Sequence, residues 1–163
     1  MSEPEYRPGL EDVPAAKSAV SFIDGKRARL EYRGIPVEVL AKESCFEETA
    51  WLLLKGDLPS QRELADFDHA LRARRTVHFR LKDLIKCMPA TGHPMDALQA
   101  SVAALGMYAP TRDVKDAAAN WEATLKLIAA FPTLVAAFHR VRTGQEILDP
   151  RSDLDHAGNF FYM

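Results

Sequence analysis

Cysteine is scarce in this chain: Cys45 and Cys87 are the only two of 163 residues, lie far apart and belong to no CxxC pair. A disulfide framework and a cysteine-based zinc site are thereby excluded, and a reducing, cytoplasmic setting is expected. Charge of one sign is equally missing, with 21 Lys+Arg against 23 Asp+Glu and a net charge of -2. That balance excludes a protein held on nucleic acid by bulk charge and a disordered acidic tail, and leaves small-molecule or protein partners. The amino terminus, polar and broken by Pro4 and Pro8, has no apolar leader core. No later run reads as the roughly 20 apolar residues a bilayer demands, so neither export nor membrane spanning is expected. No P-loop, GxGxxG or GxSxG is present, which removes local support for phosphate cradling or an activated serine. What the chain does have is 47% hydrophobic residues, enough for a real core in one soluble domain.

The order of patterns predicts a mainly α fold with a short β-hairpin near the amino terminus. Pro4, Pro8 and Pro14 make residues 1–17 an extended arm, and residues 18–163 form the domain. Ala19–Ile23 and Ala28–Arg33 flank Asp24-Gly25 as a hairpin closed by Gly34. Ser44 with Glu47, and Ser60 with Glu63, have capping-box spacing and open two helices joined by a short link at Gly56–Pro59. Leu81, Leu84, Ile85 and Met88 mark a further amphipathic helix, ended by Pro89 and Gly92. Pro94–Met107 then reads as a helix carrying Met95, Leu98, Val102 and Leu105, with no charged side chain from Gln99 to Tyr108, so burial on most sides is expected. A longer helix over about Val114–Arg142 carries Phe131, Leu134, Val135 and Phe138, should kink at Pro132, and stops before Gly144. The chain ends on the aromatic run Asn159–Met163, an apolar terminus expected of the front part of a longer protein.

Among candidate chemical groups, His69 and His78 flank Arg72, Arg74, Arg75 and Arg80. That cluster reads as a solvated helix face, with anion or nucleic-acid binding as the competing reading. His93, between Gly92 and Pro94, reads as a helix cap rather than a catalyst. His139 sits beside Arg140 on the long helix. His156 lies near Asp153 and Asp155, a trio that lacks the ligand periodicity of a calcium loop. No residue stands out as catalytic, as a cofactor ligand or as a metal ligand.

Four ordered segments carry a resemblance. Ser21–Gly25 with Leu30–Val37 is similar to the amino-terminal hairpin of bacterial citrate synthases, with its I-D-G and Y-R-G signatures. Ser44–Pro59 resembles the S-F-E-E-x-A-x-L-L-L-x-G-x-L-P segment of that family, His93–Asp96 its H-P-M-D helix, and Asn159–Met163 its N-F-L-Y-M. The resemblance covers nearly all of the chain after the arm. It implies a multihelical citrate-synthase-like large domain, of which this is the amino-terminal part, and condensation of acetyl-CoA with oxaloacetate to citrate and CoA. Acetyl-CoA would be a substrate of the complete enzyme, and no tightly bound cofactor is implied.

In the family an aspartate base, two histidines and substrate-binding arginines do the chemistry, and all follow the N-F-L-Y-M segment, so no catalytic residue is carried over and the segment alone is expected to be inactive. What carries over is a dimer surface on the H-P-M-D helix and its successor: Met95, Leu98, Val102, Leu105, Phe131, Leu134, Val135 and Phe138. A homodimer or higher homo-oligomer is implied, with no nucleic acid and no membrane. The competing readings are 2-methylcitrate synthase and a non-catalytic helical dimerisation module.

Overall fold

In the computed structural model, residues 8–10, 13, 16–109 and 113–163 are described. Most of the expected arm therefore lies outside the described residues; within it, Pro8–Leu10 makes a short 3₁₀ turn. The chain divides into two compact units, one formed by residues up to Cys45 with Thr49–Leu58, the other by Phe46–Glu48 with Pro59–Met163.

The smaller unit holds a three-stranded antiparallel sheet, β1 (Ser21–Asp24), β2 (Arg29–Tyr32) and β3 (Ile35–Pro36), in the order β1-β2-β3. The register pairs Ser21 with Tyr32 and Asp24 with Arg29. The expected Asp24-Gly25 turn is longer than two residues: Asp24 Oδ1 accepts the N–H groups of Lys26 and Arg27, and Ala28 returns the chain at a φ of 52°. The tight turn is instead Arg33-Gly34, with φ of 50° and 83°. Positive φ at both central residues suits the twist of a two-residue hairpin, and the turn adds β3, which alternation alone did not reveal. Arg33 Nη2 donates to the Leu53 carbonyl at 2.9 Å. Helix α1 (Val37–Glu43) follows Pro36 and buries Leu40; about two turns with Val-Glu-Val alternation carry too little period to be read in advance.

Helix α2 (Phe46–Lys55) begins one residue later than a Ser44 cap would set it, and Glu47 turns inward. The second capping box forms as its spacing predicts. Ser60 Oγ accepts the Glu63 N–H while Glu63 Oε2 accepts the Ser60 N–H at 2.8 Å, and α3 (Gln61–Arg72) starts there. Helix α4 (Phe79–Lys86) is capped by His78 Nδ1, which accepts the Arg80 N–H.

The larger unit is organised by α5 (Pro94–Gly106) and α6 (Ala117–Arg142), which pack on each other and, with α4, enclose a core of Val77, Leu81, Ile85, Ala97, Leu105, Ala130, Leu134, Ala137 and Phe138. Helix α6 runs unbroken through Pro132. At its end Gly144, at a φ of 74°, lets its own N–H reach the Val141 carbonyl and lets Gln145 N–H reach that of Arg140. This is the left-handed termination that glycine alone adopts without strain. By length and composition α6 is apolar enough to cross a membrane, contrary to the sequence expectation. It is instead a core helix that buries Leu125, Ala129, Thr133 and Leu134 while presenting Glu122 and Arg142 outward. A short helix α7 (His156–Tyr162) packs against α6.

Candidate functional site

Three features of the larger unit could act: the outer face of α5 and α6, a cleft beside α6, and the loop that leads into α7. Helix α5 is started by His93, whose Nδ1 accepts the Met95 N–H at 3.2 Å, with Pro94 at the first helical position. The imidazole is therefore a cap, as its place in the sequence suggested. Asp116 Oδ1 accepts the N–H groups of Ala118 and Ala119, both at 3.0 Å, and so starts α6.

The eight residues expected at a dimer surface fall into three groups. Leu105, Leu134 and Phe138 are 7%, 1% and 4% exposed and belong to the chain's own core. Leu98 and Val102 are half-buried against that core. Met95, Phe131 and Val135 are exposed, Met95 by 61%, and are joined on the outer side by Leu127 and Met107. Burial on most sides of α5 is thus not achieved within one chain: only Ala97, Ser101 and Leu105 are buried. The physical reason is helical geometry, since Leu134 and Val135 are adjacent in sequence and about 100° apart around the axis.

A groove of about 360 Å³ lies between α6 and α7, lined by Phe46, Phe131, Pro132, Val135, His156 and Phe160 among others. A second cleft of about 560 Å³ is lined by Val102, Tyr108 and Leu127 with the ion pair Arg74–Glu122 at its edge. Arg74 Nε and Nη2 fork onto the Glu122 carboxylate at 2.7 and 2.6 Å. That hydrogen bond holds Glu122 below the usual carboxylate range and raises the Arg74 guanidinium. Lys126 Nζ donates to the carbonyls of Arg74 and Thr76, and burial pushes its ammonium below the ordinary lysine value.

The arginine cluster is therefore not a solvated face. Arg72 pairs with Asp68 at 2.7 Å and donates to the Ser152 carbonyl, while Arg75, 2% exposed, donates to the carbonyls of Arg151 and Leu154 at 3.1 and 2.6 Å. With Lys82 on Asp149, three cations hold the loop 149–155. Arg80 alone of the cluster lies outward, over the Phe79 ring. Asp153 forks with Arg151, Asp155 caps α7 through the Gly158 N–H, and His156 is buried, so the acidic loop trio does not converge on a common point.

His156 is the residue that sequence reasoning placed wrongly. Its ring stacks on Phe46 at 4.1 Å and 5°, and its backbone N–H donates to Glu47 Oε1 at 3.0 Å. Glu47, Arg75 and His156 are all buried, yet they come from α2, the segment after α3 and the start of α7. No local pattern links such distant positions; the one available signal was a glutamate in a helix's first turn, which also reads as a cap.

Residues 9–163 match the family model described as "Citrate synthase, C-terminal domain". A citrate synthase of Synechocystis sp. is 48% identical over 97% of this chain, and the match takes up 40% of that relative. A 2-methylcitrate synthase of Mycobacterium tuberculosis is 38% identical over 98% of this chain and 40% of its own length. The crystal structure of citrate synthase from Pyrobaculum aerophilum superposes with a TM-score of 0.86 at 38% identity, covering 95% of this chain and 41% of that one. The chain spans about two fifths of the length of the curated relatives it matches. By the family model and the shared fold, this chain belongs to the citrate synthase family.

Proposed function

We propose that this chain is the amino-terminal part of the large helical domain of a citrate synthase, an acyltransferase that condenses acetyl-CoA with oxaloacetate and water to give citrate and CoA. The observation that carries the reading is the 48% identity with a citrate synthase over 97% of the chain. Its part in the enzyme is the helical framework and the paired surface of α5 and α6, where Met95, Phe131 and Val135 are exposed and apolar. A homodimer in the cytoplasm, with acetyl-CoA as substrate and no tightly bound cofactor, completes the proposal.

The chemistry asks for a base beside a fixed hydrogen-bond donor, to enolise the acetyl methyl group, and for guanidinium forks to hold a dicarboxylate. The candidates in this chain are committed elsewhere. Arg72 and Arg75 hold loop carbonyls, Arg74 holds Glu122, and His78 and His93 cap helices. The catalytic groups are accordingly assigned to the remainder of the protein.

The test is release of the CoA thiol from acetyl-CoA plus oxaloacetate, measured on the 163-residue chain and on a polypeptide extended to the length of its relatives. Activity in the longer form alone is expected, and activity in the short chain would overturn the assignment. A second reading, 2-methylcitrate synthase, is favoured by a relative 38% identical; a higher kcat/KM with propionyl-CoA than with acetyl-CoA would select it. Silence from both forms would select the non-catalytic module.

A further inference from the structure

We propose that His156 is a proton-operated latch: neutral, it keeps the loop 149–155 and α7 closed against the first turn of α2, and protonated, it releases them. The inference stands on where the imidazole sits and is independent of the reaction proposed above. The ring is 7% exposed and one face is covered by Phe46. Its Nδ1 is buried with no hydrogen-bond partner among the described residues. A neutral ring can keep its proton on Nε2, but an imidazolium has an N–H at both nitrogens, so charging the ring creates a buried donor with no acceptor.

The charged groups around the ring are Glu47 from α2, Asp68 from α3, Arg75 from the segment after α3, and Asp155 from the loop itself. The α6 residues that line the same groove, Phe131, Pro132 and Val135, carry no charge. Three carboxylates against one guanidinium would favour a cation, yet each already has a partner. Glu47 Oε1 accepts the backbone N–H of His156, Asp155 Oδ1 accepts the Gly158 N–H at 2.6 Å, and Asp68 Oδ2 pairs with Arg72. Burial then outweighs their pull, and with Arg75 nearby it holds the imidazole below its ordinary 6.5. Since the folded ring binds a proton less readily than the opened one, the closed form is fully favoured above that value and loses stability as pH falls below it.

Opening has a defined extent. The latch helix carries Phe160, Tyr162 and the buried Met163, and Asn159 ties it to the loop by accepting the Arg151 N–H at 2.7 Å. Release of His156 therefore frees loop and helix together and uncovers an aromatic face. A window from pH 7.5 to 5.5 brackets the ordinary imidazole value and lies above the ordinary carboxylate range, and a His156→Phe variant separates His156 from the other histidines.

The experiment is amide hydrogen exchange read by mass spectrometry across that window, corrected for intrinsic rates. Protection of residues 149–163 should fall severalfold at pH 5.5, up to a limit of about tenfold per pH unit for one proton, while the first turns of α3, capped by Ser60 and Glu63 rather than by an imidazole, stay unchanged. His156→Phe keeps a ring against Phe46 and cannot be charged, so its protection should be flat with pH. Equal protection at both pH values in the natural chain, or the same loss in His156→Phe, would overturn the latch. Should that variant not fold, the imidazole resonances of the natural chain decide: titration of His156 below 6.5 supports the proposal and titration at or above it refutes it.

Discussion

Truncation of two neighbours on α6, Leu134→Ala and Val135→Ala, separates what this helix does for its own chain from what it offers a partner. Leu134 is 1% exposed and touches the core formed with Leu81, Ile85, Ala97 and Leu105; Val135 is 42% exposed. Removing three carbons from the first leaves a cavity in a region already rich in alanine, Ala130 and Ala137, whose fixed backbones collapse poorly into the gap. A loss of about 3–4 kcal/mol is expected, within the range for buried leucine. For a chain of this size that lowers the melting temperature by roughly 6–16 °C. Val135→Ala forfeits only partial burial, about 0.5–1 kcal/mol in the isolated chain. Its effect should appear in association: a dimer surface needs on the order of 1,200 Å² in total, and removing an exposed apolar side chain near its centre weakens pairing. Thermal unfolding by circular dichroism and mass by light scattering read the two quantities separately. Equal stability loss in both variants would refute the assignment of inner and outer faces. A dimer that survives Val135→Ala combined with Phe131→Ala and Met95→Ala would refute the surface itself.

Other consequences follow from single contacts. Asp116→Ala removes the acceptor for two N–H groups at the start of α6 and should cost about 1 kcal/mol in urea unfolding, whereas Asp116→Asn should restore most of it. Arg74→Met breaks the fork on Glu122, a surface pair worth at most about 1 kcal/mol; the natural chain should lose this contribution in high salt, and also as pH falls through the depressed Glu122 value, being complete above the ordinary carboxylate range. The variant should show neither dependence. Arg75→Met deprives the Arg151 and Leu154 carbonyls of a donor and should destabilise the chain by about 2 kcal/mol, with the first protease cuts moving to the loop 149–155; an unchanged cleavage pattern would show that Arg72 and Lys82 suffice to hold it.

Local rules reached those elements whose signals are local. Ser60 with Glu63, His93 with Pro94, and Gly144 past Arg142 each act within one turn of helix, and each forms as its spacing predicts. Helix α1 and strand β3 were missed because seven and two residues are too short to show a period. Glu47 shows what spacing leaves out: its carboxylate accepts the backbone N–H of His156, 109 residues further along the chain. The arginine cluster failed for the same reason. Charge in a sequence says nothing of which carbonyls lie opposite, and Arg72 and Arg75 face a loop that enters the fold some 80 residues later.

That loop also explains why the apolar surface of the larger unit is divided as it is. Between Leu127 and Phe138 helix α6 carries no charged side chain, a pattern that in a single helix predicts burial on most sides. Much of it is covered by α3, α4 and α5 and a further part by α7, which is too short to hold itself there by apolar area alone. Its position is instead set by polar contacts made before and at its start: Arg72, Arg75 and Lys82 on the loop, Asp155 at the cap, and Glu47 on the first N–H. The side left over carries Leu127, Phe131 and Val135, and adds to Met95 and Met107 on α5. The buried set on α6 is largely alanine and leucine with Phe138, and the exposed set adds a second phenylalanine, Phe131. Such a distribution suits a surface that gains its stability on association, where a buried aromatic contributes more than a rim of small residues. It is also the reason that Phe131→Ala should affect assembly more than folding, and Leu134→Ala the reverse.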